Sequence, residues 1–338
     1  MHTASKYFLI NVSLQNYSDG PSEVQNSHIK GLLSLIQLRG GLHTLSANDP
    51  VKRVVTWADL VHATSNDSTP SLGMSKCNAG YDLKELFPDW ASASCPARTI
   101  YPEQPPVPGL LKGIFQTIRL LSIAQSSPEM VDLNSTFNRR IAANVLYRVE
   151  YLLLDPLLLQ LEVSERHEES NQSDCYDFRT PLFSATTAGA LIFTYSCLRN
   201  LATPSRPYER LVRRLRLNLQ LVFDEEESIR AGSEQDDPSI GKTNNSSSPV
   251  NANPSLLLWL LMHGFKATVR GRRDDDRNWF VKRGAELCKS LEIHSVEELG
   301  MRIREVVASR MQCVPSTKAF WRAICERELE ETIQDASE

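Results

Sequence analysis

Histidine and cysteine are the side chains best suited to bind a metal or attack an electrophile, and this chain carries seven of each in 338 residues. Their spacing does not assemble them. The cysteines lie at 77, 95, 175, 197, 288, 313 and 325, with no C-x2-C pair and no histidine at zinc-finger distance, so no zinc site is expected. Cys197 and Cys288 fall in helical stretches and read as small buried hydrophobes. His28, His43 and His62 lie near predicted helix ends or edges. His263 sits inside an apolar run, where a core histidine with a hydrogen bond is a better reading than a catalytic base. His167-Glu168-Glu169 has no third ligand nearby. No G-x-S-x-G elbow, GxGxxG, P-loop or HExxH motif occurs. No catalytic residue, cofactor-binding residue or metal ligand is assigned, and the expectation is a protein that is not an enzyme.

Charge and composition narrow the classes further. A net charge of −4 argues against nonspecific nucleic-acid binding by the chain as a whole. Arg210, Arg213, Arg214 and Arg216, then Arg270, Arg272 and Arg273, fall on or after helical patterns, where a solvated helix face is expected. A hydrophobic content of 41% and a charged content of 23% are those of a soluble globular protein, long enough to need no covalent staples. The start, MHTASKYFLINVSL, has only a short apolar patch and no small-residue cleavage site. With an odd number of cysteines, this predicts a reduced intracellular chain. The longest uninterrupted apolar run, Leu256 to Met262, is far below the ~20 residues of a membrane span.

The elements that position these residues read as helices. Ile29, Leu32, Leu33 and Ile36 repeat at i, i+3, i+4, i+7 and place an apolar stripe on one face. Gly40 and Gly41 supply the positive φ that closes a helix. Asp49-Pro50 is an N-cap followed by a first-turn proline. The second helix buries Val51, Val54, Val55, Ala58 and His62. Asp59, about 80° from the centre of that face at 100° per residue, needs a partner, for which Arg39 is the candidate. Residues 65–108 form a long irregular stretch anchored by Leu86, Phe87 and Trp90. Stripes follow at Leu110, Leu111, Ile114, Phe115, Ile118 and Leu121, and at Phe137, Ile141, Val145, Val149 and Leu152, the latter stopping at Asp155-Pro156. Ala185 and Gly189 permit close packing in the 182–200 helix, and Tyr208 to Val222 is amphipathic with a basic outer face. Residues 224–254 are acidic, then Ser/Asn/Pro-rich, and read as a disordered insertion. The 256–269 helix is apolar all round and central. Ser295 to Glu298 is a capping box opening a helix that buries Leu299, Ile303 and Val306. The fold class expected is all-α, a single large irregular helical domain of roughly nine to eleven helices with long loops.

The order His28, Gly31, Arg39-Gly40-Gly41-Leu42, Trp57 and Asp59 resembles the signature of the fungal-specific transcription factor domain, the regulatory part of fungal zinc-cluster regulators. PSLLLWLLMHGF with Trp259, RNWFVKRGAEL with Trp279, HSVEELGMRIREVV and AFWRAI with Trp321 resemble the end of the same domain. The resemblance spans about residues 28 to 330, although the middle matches only in pattern. It implies a regulatory domain over 28–335 after a partly ordered N-terminal remnant, 1–27, with its signature residues in structural roles. It further implies a nuclear location, a cytoplasmic one being the alternative. The family's six-cysteine DNA-binding cluster is absent, and the sequence begins almost at the first signature helix, so a truncated or divergent member is expected.

Three functions compete on these grounds. The first is a transcription regulator that senses an effector or gates transcription through a partner. The second is a helical scaffold derived from such a regulator, and the third is an enzyme with an unrecognised site. The first implies other transcription regulators or another protein as partner, a small-molecule effector as a further candidate, no direct sequence-specific DNA binding by this chain alone, and no membrane. An effector pocket, if built, is expected between the 256–269 and 182–200 helices, although both simply filling the core is the plainer reading.

Overall fold

In a computed structural model, the residues described are 22–44, 50–72, 86–87, 104–128, 131–160, 180–201, 205–233, 253–268, 274–307 and 313–335. The fold is all-α. Ten α-helices have both ends among these residues: α1 (Ser22–Leu38), α2 (Pro50–Asn66), α3 (Lys112–Ser126), α4 (Thr136–Leu154), α5 (Pro181–Phe193), α6 (Arg206–Ser233), α7 (Pro254–Thr268), α8 (Asp274–Ser290), α9 (Val296–Val306) and α10 (Cys313–Asp335). A further helical run starts at Pro156, and no strand occurs among the described residues. Two compact units result, one from stretches 1–102, 116–172 and 193–211, the other from 103–115, 173–192 and 212–338.

In the first unit α2 packs against α1 and α4. The α1 stop is a Schellman closure. Gly41 donates to the Ile36 carbonyl (2.8 Å) and Gly40 to that of Gln37 (2.9 Å), which satisfies the carbonyls orphaned at a helix end. The closure needs φ of +91° at Gly40 and +97° at Gly41, as the doublet predicts. Ile36, Leu42 and Val55 then form a small apolar cluster with Leu32 packed against it. Pro50 opens α2 as expected, while Asp49 lies outside the described residues. The α2 face needs correction. Val51 and Val54 are exposed and His62 is half-buried; Lys52 is buried, and continuous burial begins at Val55 and runs almost all round to Ser65. The wheel could not show this, because neighbours enclose the second half of α2 on several sides. Phe137, at the exposed start of α4, is likewise outside the core, which takes Ile141, Val145, Val149 and Leu152.

In the second unit α7 is central, packing against α8, α9 and α10, and every residue from Leu256 to Met262 is 0% exposed. Gly264 and Gly284 let the Phe280 and Phe320 rings lie against helix backbone. Leu110, Leu111, Ile114 and Phe115 are buried as their stripe predicts. Ser295 caps α9 by accepting from the Glu298 N–H (3.2 Å), and Glu298 accepts from the His294 N–H (2.7 Å). The return arm of the capping box thus reaches one residue beyond the cap.

The predicted insertion at 224–254 is partly corrected. α6 continues to Ser233, and Phe223 and Glu226 are buried in it. Glutamates are good helix formers, and the burial rhythm Leu215, Leu219, Val222, Phe223, Glu226 persists through the acidic run. Residues 234–252, most of the 65–108 stretch including Trp90, Arg270, Arg272, Arg273 and the 167–169 cluster lie outside the described residues. The span Pro181–Leu198 is long and apolar enough to cross a membrane, yet 78% of it is buried, as in a core helix.

Candidate functional site

The signature residues of α2 meet a polar cluster in the first unit. Asp59 is fully buried. Its Oδ1 accepts from the Ser71 N–H (2.9 Å) and its Oδ2 from the Leu72 N–H (3.0 Å) and the Tyr151 hydroxyl (3.3 Å). These donors compensate a carboxylate that burial alone would disfavour. Burial, then the Asp59 charge, pushes the Tyr151 phenol far up, so it stays a donor. The expected Arg39 partner is a correction. Arg39 is exposed at the α1 end, and the Asp59 oxygens turn to the chain leaving α2 and to α4.

Beside Asp59 the cluster holds a buried ion pair. Glu150 of α4 is 0% exposed, and Arg199 engages both its oxygens, Nε to Oε1 at 2.5 Å and Nη2 to Oε2 at 2.7 Å. Arg199 follows a π-helical turn, Thr194–Leu198, and donates its N–H to the Thr194 carbonyl (2.9 Å). Its guanidinium lies 4.2 Å from the Trp57 ring centre and 4.4 Å from that of Tyr147, a cation–π arrangement on two faces. Trp57 meets Tyr195 edge-on (5.6 Å, 78°), and the Tyr195 hydroxyl bonds to Thr64 Oγ1 (2.8 Å). Burial pushes the Glu150 carboxyl up while Arg199 pulls it back. For Arg199, burial acts against the charge and Glu150 outweighs it, holding the guanidinium protonated. The set can clamp α2, α4 and the 194–199 turn in one register. It offers no exposed nucleophile and no poised proton.

Sequence reasoning named Trp57 and Asp59 but missed Glu150, Arg199, Tyr147, Tyr151 and Tyr195. A signal existed. Glu150 interrupts an apolar stripe in RVEYLLL, and Arg199 ends an apolar helix, and each such charge implies a partner. Nothing in the spacing pairs two residues 49 positions apart.

The other signature residues scatter. Gly31 has nothing within 4 Å of where a Cβ would stand. His28 falls in α1, with its side chain outside the description. In the second unit, Trp259 is fully buried against Phe115 (5.6 Å) and His263 (4.5 Å). Burial, with Lys266 adding, lowers the His263 imidazole well below its usual value, so it is neutral. Trp279 is half-buried between Phe223 (6.2 Å) and Phe280 (5.2 Å), and Trp321 is half-buried on α10. Arg216 is not a free surface charge, since it pairs with Asp276.

The expected pocket between α5 and α7 is filled. A Cβ on Gly189 would overlap Leu260, so the small residue serves contact rather than space. A cavity of about 280 Å³ lies instead between α6 and α8, lined by Phe223, Glu226, Glu227, Arg283, Glu286, Leu287 and Ser290. Arg283 joins two of these carboxylates, Glu227 and Glu286, at 2.9 Å each. Among the described residues no group of three or more His, Cys, Asp or Glu could hold a metal.

No family model matches this chain, and no curated protein or solved structure is detectably similar to it. The family resemblance therefore rests on the residues quoted for it.

Proposed function

We propose that the chain is a regulatory helical module of the fungal transcription-factor type, acting on transcription in the nucleus through a protein partner. The observation that carries this reading is the demanding local role of the signature's central residues. Gly40 and Gly41 take positive φ, Asp59 is buried and holds the chain leaving α2, and Trp57 is the face on which Arg199 lies. A signature retained for structure is what a regulatory domain resembling that family would keep. The α6–α8 cavity lends a small-molecule effector little support. Ligand cavities run from roughly 300 to 1,000 Å³, whereas the α6–α8 cavity is about 280 Å³ and crossed by its own ion pairs.

The test is to fuse the whole chain to a heterologous DNA-binding module in a fungal reporter strain. Reporter output should change relative to the DNA-binding module alone, at matched protein abundance. A fusion that is present in the nucleus and moves the reporter in neither direction overturns the reading and leaves the scaffold alternative.

A further inference from the structure

The outer face of α6 carries two exposed leucines, Leu217 at 53% and Leu221 at 55%. At 100° per residue, Arg213, Leu221 and Asp224 all fall within about 40° of Leu217, so the four share one line along the helix. Arg213 and Asp224 are exposed. The order along that line is cation, leucine, leucine, anion. Arg213 stands about one turn before the leucine pair and Asp224 about one turn after it.

Such a face is complementary to itself when reversed. An antiparallel copy related by a two-fold axis midway between Leu217 and Leu221 sets Leu217 of each chain against Leu221 of the other. The same operation brings Arg213 of each chain to the level of Asp224 of the other, on the same side of the seam. The Arg213–Asp224 contact then occurs twice, each time between opposite charges, as the two-fold of an isologous interface requires. Parallel pairing would instead align Arg213 with Arg213 and Asp224 with Asp224. We propose that this face of α6 is a homodimerisation surface, whose occupant is the antiparallel α6 of a second copy of the chain. The leucines supply the apolar seam and the charges set its direction, as flanking charges do between paired helices.

Sedimentation velocity of the full chain tests this by charge exchange. The wild-type protein should pass from the 38.1 kDa chain mass towards twice that mass as concentration rises, and added salt should weaken the dimer by screening. Arg213→Glu and Asp224→Arg should each raise the dimer dissociation constant about tenfold, because each places two like-charge pairs in the seam. Mixed in equal amounts, the two variants should dimerise again at wild-type concentrations, since every contact between them pairs opposite charges. Both positions are exposed, so circular dichroism should be unchanged. A wild-type chain that stays monomeric to on the order of 100 µM, the weak end of specific association, overturns the proposal. So does a dimer indifferent to either variant, or a mixture that fails to recover.

Discussion

Replacing Arg199 with methionine should destabilise the protein by about 3–5 kcal/mol at pH 7, the cost of removing one partner from a buried ion pair. The magnitude follows from Glu150, which is 0% exposed and has both oxygens committed to Arg199. Methionine keeps a comparable aliphatic stem but gives up the guanidinium contacts with Trp57 and Tyr147, so the penalty combines the stranded carboxylate with the lost cation–π contacts. Its pH dependence is diagnostic. Without Arg199, the burial that already pushes Glu150 up acts unopposed. The folded state then holds the Glu150 proton more tightly than the unfolded chain. Stability therefore falls as pH rises above the ordinary carboxyl value, at about 1.4 kcal/mol per unit inside the window. The variant should recover up to about 2.7 kcal/mol relative to wild type on going from pH 7 to pH 5. Chemical denaturation at the two pH values measures this, and Glu150→Gln/Arg199→Met should remove that recovery. A loss under about 1 kcal/mol at pH 7, or a double variant as pH-sensitive as the single one, would refute the buried-clamp reasoning.

Gly40→Val should cost about 1–3 kcal/mol, because φ is +91° and a Cβ there would press on Thr44. Gly31→Ala should instead stabilise by about 0.5–1 kcal/mol, since nothing lies near the added methyl in mid-helix; thermal melts that rank the two otherwise contradict the structural reading of the signature. Gly264→Ala should lose about 1–3 kcal/mol by driving a methyl into the Phe280 ring. Gly189→Ala, whose methyl would overlap the fully buried Leu260, should lose a similar amount, and urea midpoints unchanged by either variant would argue against this packing. His263 has a lowered pKa when folded, so the unfolded chain binds its proton first and stability drops as pH falls below about 6.5. Between pH 7 and 5.5 that drop is about 1.3 kcal/mol, and it should be missing from His263→Leu in paired denaturation curves.

Local patterns were legible wherever one physical effect acted alone. The stop at Gly40-Gly41, the cap at Ser295 and the buried run at 256–262 each follow from φ preference, a side-chain acceptor or apolar composition within a few residues. The all-α class follows from the same 3.6-residue rhythm. Reading failed where burial came from several sides at once. Val54 looks like core on a wheel and is exposed, whereas Ser65 looks like surface and is buried, because the neighbours of α2 decide which sides are covered. The acidic run after Val222 looks like loop by composition, yet α6 carries it as helix to Ser233.

The amino-acid sequence by itself determined most of the helices, the stop at Gly40-Gly41 and the need for a partner at Asp59, and it carried an unread signal at Glu150, because these depend on neighbours along the chain and on the cost of burying charge. Only the tertiary structure decided who those partners are. Asp59 took the Ser71 and Leu72 amides and the Tyr151 hydroxyl rather than Arg39, and Glu150 took Arg199 from 49 positions away. A buried charge fixes that a complement must come, while which one arrives depends on how distant helices pack, and no local spacing encodes that.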